Sequence, residues 1–98
     1  MKLIEVAEFK QKLENKTDVL IIDVRECWEH EEKNICSTNY PLGELPQFLD
    51  QFPSDKTYEI IVHCESGRRS QQAAKYLKQQ GFTNVSSLKG GLKAFITS

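Results

Sequence analysis

A cysteine that ends an apolar run and opens onto a helix is the residue here best placed to do chemistry. In Ile60-Ile61-Val62-His63-Cys64-Glu65-Ser66-Gly67-Arg68-Arg69-Ser70, buried-strand character stops at His63 and a polar loop begins at once. Loop N–H groups turned inward, together with the free donors of a first helical turn, form a cradle that stabilises an anion without a metal. The same field favours thiolate over thiol at Cys64. Gly67 permits a backbone conformation closed to other residues, and Arg68 and Arg69 add positive charge. Alone, a cysteine after an apolar strand is more often an inert buried thiol; with Gly67, both arginines and the helix start, Cys64 reads as a nucleophile. Glu65, Ser66, Gly67, Arg68, Arg69 and Ser70 are the candidate substrate-binding residues around it.

A second polar strand ending, Asp23-Val24-Arg25, follows the run Val19-Leu20-Ile21-Ile22. Asp23 and Arg25 are expected to support the site, bonded to each other or to loop backbone, rather than to take part in the reaction. His63 adjoins Cys64 and is expected to be scaffold. Cys27-x-x-His30 with Cys36 is an incomplete zinc set in a carboxylate-rich stretch, so no metal is expected. Cys27 and Cys36 are bystander or resolving thiols. The run Glu26, Glu29, Glu31, Glu32 reads as a solvated face, and Trp28 and Tyr40 as core or rim.

The elements that must position these residues follow from spacing. Val19–Val24 and Ile60–Val62 are β-branched and do not alternate with polar residues, as strands covered on both faces do not. Val6, Phe9 and Leu13 share a helix face that fades near Asn15. Leu45, Phe48, Leu49 and Phe52 recur at helical spacing, with Pro46 in the first turn and Pro53 as the stop. Ala73, Ala74 and Leu77 line a helix from near Ser70 to Gly81. Asn84–Leu88 is a weaker strand, and Gly90-Gly91 turns the chain into a closing helix with Leu92, Phe95 and Ile96. Strand alternating with helix predicts an α/β fold with a central, mainly parallel sheet and helices on both faces. In such sheets ligands bind off the carboxyl ends of the strands, where both polar endings would meet.

Composition narrows the setting. Ninety-eight residues predict one domain over 1–98, with room for one modest core. Thirteen Lys and Arg against fourteen Asp and Glu give a net charge of −1, which supplies no global field for nucleic acid or an anionic membrane. The start Met1-Lys2-Leu3-Ile4-Glu5 turns charged too soon for a signal peptide, and no apolar run approaches a membrane span. Three cysteines are too few and too odd for a disulfide scaffold, so a cytoplasmic location with reduced thiols is expected.

Two thiolate chemistries use such a cradle. Protein tyrosine phosphatases carry H-C-x-x-G-x-x-R; here His63-Cys64-x-x-Gly67 matches, but Ser70 stands where the arginine is needed and Arg69 comes one residue early. Cys64-x-x-Gly67-x-Arg69-Ser70 instead resembles the active-site loop of rhodanese-like sulfurtransferases, in which six residues cradle a cysteine persulfide. Asp23-Val24-Arg25-Glu26 with Trp28-Glu29, Tyr40-Pro41-Leu42, Gly81-Phe82 with Asn84-Val85, and Leu88-Lys89-Gly90-Gly91-Leu92 resemble further signatures of that family in the same order. One stretch departs: before the Tyr40-Pro41-Leu42 segment, where the family has G-H-I-P-G-A, this chain reads Lys33-Asn34-Ile35-Cys36-Ser37-Thr38, and that region as a whole is one residue shorter.

The resemblance implies transfer of sulfane sulfur from thiosulfate or a persulfide donor to a thiol or other nucleophile through a Cys64 persulfide, with no cofactor. Arg69 would support substrate and persulfide, and Arg68 would face an anionic donor. Glu65 cuts against thiosulfate, so modest turnover with it is expected and a neutral or protein-bound donor fits better. Two alternatives stand beside this reading: a persulfide carrier or interaction module serving a sulfur-accepting protein, and a thiolate phosphatase or arsenate reductase, against which the loop length argues.

Overall fold

In the computed structural model, which describes residues 2–15 and 18–98, the two apolar runs lie side by side as central parallel strands. Met1, the first residue of the charged start, lies outside the described residues. The elements in chain order are β1 (Lys2–Ile4), α1 (Val6–Asn15), β2 (Val19–Asp23), α2 (Cys27–Glu32), β3 (Thr38–Asn39), a 3-10 helix (Leu42–Gln51), β4 (Glu59–His63), α3 (Arg68–Gln79), β5 (Val85–Leu88) and α4 (Gly91–Thr97). The strands form one sheet in the order β1-β5-β4-β2-β3, every pair parallel.

Successive residues of a strand face opposite sides, and here both sides are covered. Ile22, Ile60 and Val62 face Ala73, Ala74 and Leu77 of α3, together with Leu45 of the 3-10 helix. Ile21 and Ile61 face the other way, onto Phe9 of α1, with Phe95 of α4 packed against that cluster. The absence of polar alternation in β2 and β4 thus has a direct cause: beyond their partly exposed first residues, both faces of each strand are covered. The expected α/β architecture, with helices on both faces of a parallel sheet, is the one observed.

Three elements differ from expectation. The segment around Leu45 and Phe52 buries the predicted face but winds as a 3-10 helix, with Pro46 in its middle rather than its first turn. Pro46 has no N–H to return to Leu42, and its ring crowds that carbonyl in an α pitch. Helix α3 starts at Arg68, two residues before Ser70, because Gly67 takes a left-handed φ of 102° and breaks the chain there. Ile96 is half exposed, so α4 buries Leu92 and only part of its apolar set. Strands β1 and β3 are additional edge strands.

The chain leaves β2 toward β3 on one side and leaves β4 toward β5 on the other. The crevice between the carboxyl ends of β2 and β4 is therefore the switch point of the sheet. Asp23 and His63 are register partners there, which brings Arg25 and Cys64 to one place.

Candidate active site

Cys64 sits at that switch point, 1% exposed. The loop after it curls so that the Gly67 N–H points at Sγ from 3.1 Å and the Ser70 N–H from 3.3 Å. The Ser70 hydroxyl stands 3.6 Å from the sulfur and 2.6 Å from Ser87 Oγ of β5. The curl depends on the chain behind it. Leu92 donates its N–H to the Cys64 carbonyl at 2.9 Å and Lys93 to that of Glu65 at 3.1 Å, so the turn into α4 backs the loop. Gly91 makes that approach possible, since a Cβ there would lie 2.5 Å from the Glu65 carbonyl oxygen.

Asp23 and Arg25 form the floor. The fully buried Asp23 carboxylate accepts from the Arg25 backbone N–H at 2.9 Å, from its Nε and from Nη2 at 3.0 Å. His30 Nδ1 lies 2.9 Å from the same carboxylate. Burial pushes this carboxyl up, but the hydrogen bonds from Arg25 and His30 outweigh it and hold it below the usual range. Arg25 also donates to the Lys33 carbonyl and, at 3.3 Å, to Glu65 Oε1. The discordant carboxylate of the loop is thus partly neutralised from beneath.

Arg69 reaches the rim, within electrostatic range of the Cys64 sulfur, and there grips Glu29 through both terminal nitrogens at 2.6 and 3.0 Å. Arg68 is exposed, as expected. Glu29 corrects the reading of the acidic run as a solvated face. It is a bidentate partner of the loop, and its carboxyl is held down chiefly by the Arg69 hydrogen bond. The i, i+3 spacing of Glu26 and Glu29 was the available signal, and they do form a capping box at the start of α2. Trp28 is 62% exposed and so belongs to the surface, whereas Tyr40 stacks on Phe48 at 4.5 Å.

His63 is scaffold. It is buried, its Nε2 lies 2.7 Å from Ser37 Oγ, and its Nδ1 has no partner among the described residues. Burial is the main force on it and lowers its pKa to about 4, so the ring is neutral. Ser37 belongs to the divergent 33–38 stretch, where Cys36 takes a left-handed φ of 63°. Cys27 and Cys36 are exposed free thiols. Among the described residues no group of three His, Cys, Asp or Glu side chains is placed to hold a metal ion, and no helix is long and apolar enough to cross a membrane.

A parallel sheet with a six-residue cysteine loop at its switch point is the α/β architecture expected of a rhodanese-like domain. Comparison with known proteins agrees: the rhodanese-like domain family matches residues 5–98, and the chain belongs to that family. A protein of Allochromatium vinosum named sulfurtransferase is 33% identical, the match covering 94% of this chain and 85% of the relative. YrkF of Bacillus subtilis, which carries a sulfur-carrier name, is 36% identical over 92% of this chain, but the chain spans only 48% of its length. The crystal structure of a rhodanese-like domain protein from Staphylococcus aureus superposes with a TM-score of 0.85 at 29% identity, covering 97% of this chain and 91% of that one. These relatives support sulfur transfer of the rhodanese type.

Proposed function

We propose that the protein moves sulfane sulfur through a persulfide on Cys64. The observation that carries this reading is the pair of backbone N–H groups, from Gly67 and Ser70, aimed at Sγ. Fixed dipoles of this kind hold a sulfur anion without reorganising when charge arrives. The N–H groups of Glu65, Ser66, Arg68 and Arg69 have no carbonyl partner among the described residues, so the loop keeps unpaired donors beside the two that face the sulfur.

In the first half-reaction the Cys64 thiolate attacks the outer sulfur of thiosulfate or a persulfide. A new S–S bond forms, the donor's bond to that sulfur breaks, and sulfite or the donor thiolate leaves with the electron pair. In the second, an acceptor thiolate or cyanide attacks the outer sulfur, and Cys64 leaves as thiolate. Each half releases a product before the other substrate reacts, so initial rates at several fixed acceptor concentrations should give parallel double-reciprocal lines. Intersecting lines would count against a covalent intermediate.

The chain as a persulfide carrier for a sulfur-accepting protein is the second reading, favoured by the likeness to YrkF and by Glu65 at the loop, which disfavours free thiosulfate. Negligible turnover with small acceptors after stoichiometric sulfur loading would select it. A phosphatase reading is disfavoured because Ser70 stands where the phosphate-binding arginine is needed, and Arg69, one residue early, is engaged by Glu29. The three free thiols suit a reducing compartment such as the cytoplasm.

A further inference from the structure

Strand β5 carries two buried serines in succession, and they are not equivalent. Ser86 and Ser87 are 1% and 0% exposed. Ser86 Oγ has no hydrogen-bond partner among the described residues. Ser87 Oγ lies 2.6 Å from Ser70 Oγ, which in turn stands 3.6 Å from the Cys64 sulfur and 3.1 Å from the Gly67 carbonyl oxygen.

A serine hydroxyl has one proton to give and two lone pairs to receive with. Either oxygen of the Ser70–Ser87 pair could donate, but only donation by Ser87 gives both protons an acceptor, because Ser70 then has the Gly67 carbonyl to donate to. With that lone pair occupied, the Ser70 O–H cannot turn back toward β5. It must point to the Gly67 carbonyl or to the sulfur. When Cys64 is a thiol, its S–H can donate to the second lone pair of Ser70, while Ser70 donates to Gly67. When Cys64 is a thiolate, the sulfur only accepts, and the Ser70 proton can swing to it, polarised by the donation from Ser87. The hydroxyl pair thus serves both charge states of the sulfur without moving a heavy atom.

We infer that Ser87 is a positioning residue for the sulfur chemistry of Cys64: by donating to Ser70 Oγ it aims the Ser70 hydroxyl at the loop and the sulfur. This rests on the reading of Cys64 as the sulfur-carrying thiolate. It accounts for a buried polar side chain on an interior strand of the sheet, opposite Val62 on one side and Leu3 on the other.

The test compares Ser87→Thr with Ser87→Val, side chains of one shape that differ in the hydroxyl, each on the full chain and each checked by thermal melting. Ser86→Ala is the control for general disturbance of β5. Rates of persulfide loading of Cys64 from thiosulfate are followed by intact mass across donor concentrations. Ser87→Thr and Ser86→Ala should load within about twofold of the unmodified protein. Ser87→Val should lose about threefold to tenfold in the saturating rate, less than the loss of a direct donor to a reacting anion, with the half-saturating concentration unchanged. Equal saturating rates for the Thr and Val variants would overturn the inference.

Alkylation of Cys64 by iodoacetamide, read by peptide mass at fixed pH, gives the same comparison without any sulfur donor. If the unmodified protein takes up no sulfur yet the Val variant is alkylated more slowly than the Thr variant, the proposed function fails and the positioning role stands. If alkylation does not distinguish the two variants, the positioning role fails whatever the donor result.

Discussion

Arg69 holds Glu29 with both terminal nitrogens, at 2.6 and 3.0 Å, and so ties the first turn of α3 to the first turn of α2 across the mouth of the cysteine loop. The two residues lie 40 apart in sequence, and Glu29 is at the same time the capping-box partner of Glu26. A planar guanidinium on a carboxylate fixes direction as well as distance, which a lysine would not do. A double-mutant cycle of Glu29→Gln and Arg69→Ala in urea unfolding at pH 7 should give a coupling of about 1 kcal/mol, toward the upper end for partly exposed pairs. A coupling indistinguishable from zero would mean that the clamp does not order the loop.

Acid should destabilise the fold in two stages. The His63 pKa is lowered by burial from 6.5 to about 4, so the unfolded chain binds this proton first as pH falls. Stability from the neutral ring is complete above pH 6.5 and drains away between there and about 4, to a total of about 3 kcal/mol. Asp23 and Glu29 behave differently. Their folded pKa values lie below the unfolded 3.8 and 4.5, so their contributions persist above those values and are lost only as pH drops through the lowered ones. Urea midpoints measured from pH 7 to 3 should fall in both windows, and His63→Gln should flatten the upper one alone. An unchanged slope between pH 6.5 and 4 in that variant would contradict a neutral buried ring.

Gly91 has a left-handed φ of 66°, and a methyl group there would meet the Glu65 carbonyl oxygen at 2.5 Å. Both chain segments are backbone, so neither yields cheaply. Gly91→Ala should cost about 2–3 kcal/mol in urea unfolding and abolish most sulfur loading, because the loop must shift to relieve the contact. Gly43, which has open space around it, is the control: Gly43→Ala should leave loading unchanged.

The loop was legible in the sequence because its parts are contiguous. A strand, a cysteine, a glycine at the one left-handed position and a helix start all fall within Ile60–Ser70. The central strands were legible for a related reason, since burial on both faces writes an unbroken apolar run. What escaped was non-local. Glu29 looks like any solvated glutamate until α3 is brought to it. Strands β1 and β3, of three and two residues, take their identity from pairing, as in Leu3 opposite Ser87, and carry no pattern of their own. Ser87 reads as a weakening of its strand, and only the fold shows the hydroxyl that it meets.

Glu65 sets a limit on the donor. Its carboxylate is 38% exposed and lies 3.3 Å from Arg25, so its charge is reduced at the loop but not removed. Glu65→Ala should raise thiosulfate turnover about twofold to fivefold at low ionic strength, with the gain shrinking as salt is added. Unchanged or poorer turnover would show that Glu65 does not repel the donor.

A persulfide on Cys64 is tested most directly by where the sulfur goes. The reduced protein, incubated with thiosulfate and separately with a low-molecular-weight persulfide, then freed of donor, should gain the mass of one sulfur atom. The gain should vanish in Cys64→Ser, persist in Cys27→Ser and Cys36→Ser, and be discharged by cyanide. No adduct from either donor, or an adduct that survives in Cys64→Ser, would contradict it.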